Sequence, residues 1–250
     1  MELPIVVLAG LLAGHFMDLA FPRFYTGEAI GGPLYRCREC RKSLRLTYAV
    51  PLLGYVASLG RCRDCGELLP ASAIVLPLGG AMLAAASYVA FDDSLAGGLL
   101  GGFFGTVFVT LTLTDLERRL LPNRIVYPSI LIAIALCWAW PDSSFSEILA
   151  GGLVAIASGI VLILFSLPFG RGAFGMGDVK MIVLIGFVVG WPSVLVAIFV
   201  GTLVAAAASL VLIVTGVRKR TDYIPHGPFL ALGAIVALFW GSAIWDAYTG

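Results

Sequence analysis

Apolar residues in this chain come in long unbroken stretches. They do not form the alternating pattern of a half-buried strand or the narrow stripe of a surface helix. Eight such runs, at roughly 4–21, 71–91, 95–114, 125–140, 148–169, 179–189, 193–217 and 229–245, approach or reach the ~20 residues an α-helix needs to cross a bilayer. The sixth is short and is followed by Gly190-Trp191-Pro192, which predicts a tilt or a tight turn into the seventh. Small residues crowd several runs (Ala96-Gly97-Gly98, Gly101-Gly102, Gly151-Gly152 and 205–208) and allow close helix packing in lipid. The pattern predicts an all-α polytopic membrane protein of about eight transmembrane helices, with the lipid bilayer as its first partner.

Composition agrees. Of 250 residues, 60% are hydrophobic and only 12% charged, more apolar surface than a soluble domain of this size can hide. The net charge of +1 gives no reason to expect a nucleic-acid partner. The positions of the charges say more than their sum. All 16 basic residues fall in alternate connections: Arg23, Arg36, Arg38, Arg41, Lys42, Arg45, Arg61 and Arg63 after run one; Arg118, Arg119 and Arg124 after run three; Arg171 and Lys180 around the start of run six; Arg218, Lys219 and Arg220 after run seven. The other connections carry Asp92-Asp93, Asp142 and Glu147. By the positive-inside rule the basic loops are cytoplasmic and both termini lie outside. Met1-Glu2-Leu3-Pro4 lacks a basic n-region, so the first run is expected to be a retained span. The division this suggests is a first helix over 1–22, a cytoplasmic module over 23–70 and a membrane core over 71–250.

Within the module lie Cys37-Arg38-Glu39-Cys40 and Cys62-Arg63-Asp64-Cys65-Gly66. Two residues between paired cysteines let both sulfurs turn toward one ion, and two such pairs complete a tetrahedral zinc shell. A reducing cytoplasm disfavours disulfides there. Four thiolates leave no position open for a catalytic water, so Cys37, Cys40, Cys62 and Cys65 are expected to hold a structural zinc. A thiol redox pair and another thiolate-bound metal are the competing readings. The apolar stretch 48–59 can rest on the membrane or pack against the spans. Cys137, alone in run four, reads as packing.

Acidic residues at the edges of membrane spans are costly and usually serve a pathway, a pair or a reaction. Asp178, in Phe174-Gly175-Met176-Gly177-Asp178-Val179-Lys180, stands at the mouth of run six, and Asp115 ends run three. Read alone, Asp178 is equally a helix N-cap or first-turn acid. The topology, however, brings both acids to the cytoplasmic edge at similar depth. Two nearby carboxylates cannot both ionise easily. The ionised one can activate water while the protonated one polarises a peptide carbonyl, the division of labour of an aspartic protease. The chain has only His15 and His226, no HExxH and no GxSxG elbow, so zinc-hydrolase and serine routes lack support. His226 reads as a helix-entry residue or a substrate contact, Asp18 as a partner for an arginine such as Arg23. Glu117, Asp222 and Asp246 read as solvated.

These residues resemble those of the type IV prepilin peptidases, bacterial members of the GxGD intramembrane aspartic proteases. The matching elements follow the family's order: the paired CxxC motifs; Thr114-Asp115-Leu116-Glu117-Arg118-Arg119-Leu120-Leu121-Pro122-Asn123; Gly175-Met176-Gly177-Asp178-Val179-Lys180; and Ile224-Pro225-His226-Gly227-Pro228-Phe229-Leu230-Ala231. The resemblance implies a bacterial inner-membrane endopeptidase with Asp115 and Asp178 as catalytic pair, supported by Gly175, Gly177, Lys180, Pro225, His226 and Gly227. It implies prepilin or pseudopilin precursors as substrates, cut on the cytoplasmic side between a short basic leader and the hydrophobic helix. Many members then methylate the new N-terminus with S-adenosylmethionine. Two stretches depart from the family pattern. Gly14-His15-Phe16-Met17-Asp18 stands where a Gly-Ser-Phe-Leu-Asn-like stretch is usual, and Leu76-Pro77-Leu78-Gly79-Gly80 where a glutamate is common. Two other classes predict different things. A non-catalytic scaffold using its zinc module for partner binding requires the two acids to be far apart or in separate environments. A transporter with acids as proton carriers would place them near span centres.

Overall fold

In the computed structural model of the chain, residues 2–20, 23, 37, 39–40, 42, 48, 50–141, 143–166, 175–217, 219 and 224–250 are described. Several residues used above lie outside them: Phe21, Arg36, Arg38, Arg41, Arg45, Asp142, Arg171, Phe174, Arg218, Arg220, Asp222 and the end of the fifth run at 167–169.

The named helices are α1 (Leu3–Ala20), α2 (Leu53–Ala57), α3 (Ser72–Ala90), α4 (Leu95–Arg118), α5 (Asn123–Ala135), α6 (Phe145–Ser166), α7 (Met176–Val189), α8 (Ser193–Val214) and α9 (Gly227–Thr249), with a 3-10 turn at Cys137–Ala139. Among the described residues the only strand-like pairing is an isolated bridge between Arg61 and Leu68. Every one of the eight apolar runs carries a helix. Six of these, α1, α3, α4, α6, α8 and α9, are long and apolar enough to cross a membrane. The chain is a multi-pass, all-helical membrane protein.

The differences from the expected runs have local causes. α4 continues past Thr114 to Arg118, because Leu116, Glu117 and Arg118 are good helix formers and no glycine or proline intervenes. It closes at Arg119, whose φ of 55° is left-handed and whose N–H bonds the Asp115 carbonyl at 2.8 Å. α5 stops at Ala135, and the rest of its run, up to Trp140, is taken up by Leu136 and the 3-10 turn. α7 has 14 residues. At 1.5 Å per residue it is about 21 Å long, short of the ~30 Å hydrocarbon core. The three residues Gly190-Trp191-Pro192 turn it into α8, as expected.

The chain forms two compact units, Met1–Thr110 and Leu111–Gly250, with the boundary inside α4. In the first, α1 packs along α3. Gly10 lies against the Gly80 backbone and Gly14 against Leu76 and Pro77, so closely that a Cβ at either would strike main-chain atoms. These glycines are one turn apart on the same face of α1, which is how small residues bring two helices together in lipid.

In the second unit α7 packs against α5, α6, α8 and α9. Met181, Ile182, Leu184 and Ile185 are fully buried and point in different directions around the helix. A helix apolar on every side belongs in an interior, and α7 is the axis of this unit. Gly186 seats it against Gly151 and Ala155 of α6. Beside it α8 runs along α9, with Gly233 against Ala197 and Gly201. Placing α7 at the centre means that whatever occupies its first turn starts from inside the bundle.

Candidate active site and metal centre

Asp178 occupies that first turn. Gly175 is the N-cap residue, in extended conformation, so Asp178 is a first-turn acid three residues inside the helix and not the cap itself. Its N–H bonds the Gly175 carbonyl at 3.0 Å, and its carboxylate folds back toward Gly175, where an added Cβ would stand 3.2 Å from Oδ2. The side chain is only 7% exposed.

Asp115 lies in the last turn of α4 and is 3% exposed. Its partner comes from α9. His226 is the N-cap of that helix and Gly227 its first residue. The Gly227 N–H donates to Asp115 Oδ2 at 2.9 Å. The first amides of a helix have no partners within it and carry the positive end of its dipole, so a carboxylate is the natural acceptor. Glycine is required here by space: a Cβ on Gly227 would lie 2.6 Å from Asp115 Oδ2 and 3.0 Å from its Cβ and Cγ.

The two carboxyl groups share one electrostatic neighbourhood. Asp178 interacts with Asp115 and with His226, and Asp115 also interacts with His226. Three ionisable groups from the ends of α4, α7 and α9 therefore converge. His226 is the helix-entry residue of α9 and also a neighbour of the two acids. Its ring also packs edge-on to Phe229, with centroids 6.4 Å apart.

The other expected support residues have different roles. Gly177 faces Leu121, whose side chain an added Cβ would meet at 3.3 Å. Lys180 Nζ donates to Asn123 Oδ1 at 2.8 Å and sits 5.3 Å from the Tyr127 ring centroid, tying α7 to the start of α5. Pro225 is half-buried in the approach to α9. Leu121 and Asn123 fall in the 114–123 stretch that carries the resemblance, but neither they nor Tyr127 stand out there as site residues. The signal available for Asn123 was its place one residue after Pro122, at the first turn of a helix. Glu117 and Asp246 are exposed, in keeping with a solvated role; Arg23 is buried and Asp18 half-buried.

The four module cysteines form a second site. Cys37, Cys40, Cys62 and Cys65 are free thiols whose sulfurs all lie within 4.8 Å of one another. Cys37 and Cys65 Sγ are 3.5 Å apart, Cys40 and Cys62 Sγ 3.9 Å. Zn–S bonds of about 2.3 Å in a tetrahedron put sulfurs about 3.8 Å apart, so the cage is of the right size for such an ion. The two pairs are built alike. Cys37 N–H bonds the Lys42 carbonyl at 3.0 Å, and Cys62 N–H bonds the Glu67 carbonyl at 2.8 Å, the same five-position separation in each. Gly66 closes the second loop at φ +75°, with open space where a Cβ would stand, so conformation and not crowding calls for glycine there. Lys42 and Asp64 pair at 3.2 Å across the two loops. The backbone N–H groups of Cys65 and Asp64 hold the Cys62 thiol down to about 7, while, against the lowering pull of the Glu67 N–H, burial and the neighbouring sulfurs push Cys65 up to about 12, the opposed shifts of thiols that titrate together as one cluster. Cys137 is buried within the bundle, as expected for packing.

Two family models match the sequence: the type IV leader peptidase family over residues 102–210 and the bacterial peptidase A24 N-terminal domain over residues 8–91. The first contains Asp115 and Asp178, the second all four module cysteines. The chain is similar to the prepilin leader peptidase/N-methyltransferase of Bacillus subtilis (strain 168), 29% identical over 98% of this chain and 97% of that protein. It is similar to the protein of the same name from Burkholderia pseudomallei (strain 1026b), 27% identical over 97% of this chain and 86% of the relative. A third, from Aeromonas hydrophila, is 29% identical over 83% of this chain and 72% of the relative. No solved structure matches the chain significantly.

Proposed function

We propose, from the matches to the type IV leader peptidase family over residues 102–210 and to the bacterial peptidase A24 N-terminal domain over residues 8–91, that Asp115 and Asp178 are the catalytic pair of an intramembrane aspartic endopeptidase. Its substrates are type IV prepilin or pseudopilin precursors, cut between a short basic leader and the hydrophobic helix. The observation that carries this assignment is that the two buried acids, from separate helices, interact with each other and with the same histidine.

The chemistry follows from one proton held between two carboxyl groups. The ionised carboxylate takes a proton from water as the water oxygen bonds to the scissile carbonyl carbon. The protonated partner gives its proton to the carbonyl oxygen. In the tetrahedral adduct a hydroxyl proton returns to that partner and the C–N bond breaks. The leaving nitrogen keeps the electron pair and takes the proton first removed from water. The pair ends as it began. The Gly227 N–H, by fixing one oxygen of Asp115, orients the carboxyl toward the peptide. Burial keeps bulk water from competing for these contacts.

The distribution of basic residues supports placing the protein in the bacterial inner membrane, with both termini outside and the site at the cytoplasmic face. A precursor whose leader carries Lys or Arg stays on that side, which brings its scissile bond to the depth of the two acids. The scaffold reading required acids in separate environments, and their mutual interaction speaks against it. A transporter reading places acids near span centres; here they stand in the last turn of α4 and the first turn of α7.

For the four-cysteine cage, zinc is the ion we propose, in a structural role, since four thiolates complete its shell. The second activity in the relatives' names, N-methylation of the new amino terminus, is proposed for the same polypeptide. S-adenosylmethionine would give its methyl group to the freed amine.

One assay tests these assignments. The purified full-length chain in nanodiscs is incubated with a pilin precursor, with and without S-adenosylmethionine, and product masses are measured. The leader is expected to be lost in both conditions, with 14 Da added to the mature product only when the donor is present (roughly one methyl replacing one hydrogen). Asp115→Asn and Asp178→Asn should abolish cleavage without loss of helix content. Full cleavage by either variant rejects the catalytic assignment.

A further inference from the structure

The segment between the two cysteine pairs has an outer surface that its own module does not use. α2 turns one face inward, where Gly54 lies directly on Tyr48. On the outer side Leu53 and Val56, three residues apart and so on one helical face, are 51% and 67% exposed, and Leu59 is 88% exposed. Val50 and Leu68, at 50% and 63%, extend the apolar surface. The backbone is held unusually to present it. Leu52 and Leu59, which flank α2, have φ of 63° and 52°, in the left-handed region that branched side chains avoid. A leucine that is both left-handed and nearly fully exposed is disfavoured twice over in water. Packing its side chain into an apolar phase removes the second penalty.

Two further features identify that phase. The first is continuity. The Leu69 N–H bonds the Gly60 carbonyl at 2.8 Å, and Arg61 bridges Leu68, so Leu59 and Leu68 are held together at the entrance to α3. α3, long and apolar enough to cross a membrane, begins at Ser72, and its exposed Val75, Leu78 and Met82 line one face of it. The second is charge. Exposed Arg61 and Arg63 border the patch, Arg63 Nη2 donating to the Ala57 carbonyl at the end of α2 at 2.9 Å and Arg61 Nη1 to the Gly66 carbonyl at 3.3 Å. Guanidinium groups bordering an apolar face match the phosphate level of an anionic bilayer, with the leucines below it in the acyl boundary.

We propose that α2 and its flanking leucines are a membrane-interface anchor. They seat the four-cysteine module on an anionic phospholipid bilayer, with Leu53, Val56 and Leu59 inserted and Arg61 and Arg63 at the headgroups. The segment neither crosses the membrane nor packs on the spans; it lies in the interface. This holds whether or not the protein cleaves pilins.

The test uses the full-length chain in nanodiscs of phosphatidylethanolamine and phosphatidylglycerol. A photoreactive benzophenone amino acid replaces Val56, Leu59 or, as control, the exposed Glu67. Irradiation is expected to yield phospholipid adducts at 56 and 59 at least about tenfold above those at 67. Equal yields at all three positions, or adducts to protein at 56 and 59, overturn the proposal and point to a protein partner or a second copy. In a second measurement Leu53, Val56 and Leu59 are all changed to serine. Trypsin cleavage after Arg61 and Arg63 in nanodiscs should then rise about tenfold, as the module lifts from the surface. An unchanged rate counts against the anchor, and should the triple variant fail to fold, the adduct yields decide alone.

Discussion

The amide of Gly227 and the carboxylate of Asp115 meet at 2.9 Å across 112 positions of sequence. This single hydrogen bond joins the last turn of α4 to the first residue of α9. It uses a donor that a helix start leaves without a partner and an acceptor that the interior of a membrane protein would otherwise leave costly. The carboxylate can lie over this amide because the donor has no side chain, and that makes the glycine itself testable.

Gly227→Ala would put a Cβ 2.6 Å from Asp115 Oδ2, and the carboxyl group would have to rotate away. Misplacing a reacting group by about 1 Å costs on the order of 100-fold in rate. Leader cleavage is expected to fall by about that factor, with protein yield and helix content preserved. Gly177→Ala is the matched control: its Cβ would meet Leu121 at 3.3 Å, a contact that a few tenths of an ångström relieve. Its loss should stay within about threefold. Equal rates for the two alanine variants would sink the proposed role of the Gly227 contact.

Lys180 supports the site from the other side. Its 2.8 Å bond to Asn123 holds the start of α7 to the start of α5. Lys180→Met and Asn123→Ala should each cost at most about 1 kcal/mol of stability, since the hydrogen bond they share is exposed. Their double variant should lose clearly less than the two losses added, which a thermal or denaturant unfolding series in detergent would reveal. Cleavage should persist in all three, since the contacts Lys180 makes, to Asn123 and the Tyr127 ring, tie α7 to α5.

Much of this was legible in the linear sequence because lipid simplifies the problem. A backbone with no water to bond must be helical, so runs of apolar residues mark helices directly, and all eight were found within a few residues of their ends. The paired cysteines were equally plain, since a tetrahedral ion dictates ligand spacing. What the sequence hid was lateral. The depth of Asp115 and Asp178 follows from charge distribution, but which helices stand side by side depends on where Gly186 meets Gly151 and where Gly233 meets Ala197. Small-residue contacts of that kind are too common along this chain to single out. The anchoring of Asp115 by a main-chain N–H left no trace at all, because every residue but proline offers one. Asn123 falls in the 114–123 stretch that carries the resemblance, but its pairing with Lys180 was not legible there because the two lie 57 positions apart.

The cysteine cage yields a prediction about metal content. Two pairs of its sulfurs stand 3.5 and 3.9 Å apart, close to the tetrahedral edge. Elemental analysis of the purified chain should find about one zinc per polypeptide, and Cys62→Ser or Cys37→Ser should reduce it to a small residue. Because the ion would link two loops some twenty residues apart, its removal should expose the module to trypsin at Arg61 and Arg63 while the spans remain intact. A chain that binds no metal yet resists trypsin equally would show that the loops hold themselves together without an ion.

The shared proton gives the most demanding prediction. A reaction that needs one protonated and one ionised carboxyl group slows when both are protonated and again when both are ionised. The cleavage rate against pH should therefore be bell-shaped, with limbs that belong to the Asp115–Asp178 pair and cannot be divided between its members. The same interdependence makes the single variants as damaging as their combination. Asp115→Asn, Asp178→Asn and the double variant should all fall to the same floor, at least about 1,000-fold below the unaltered chain, as happens when catalytic groups act as one unit. A double variant markedly slower than either single one would mean that each acid contributes separately. The pair would then be two neighbours near a peptide, and not a dyad dividing one proton between them.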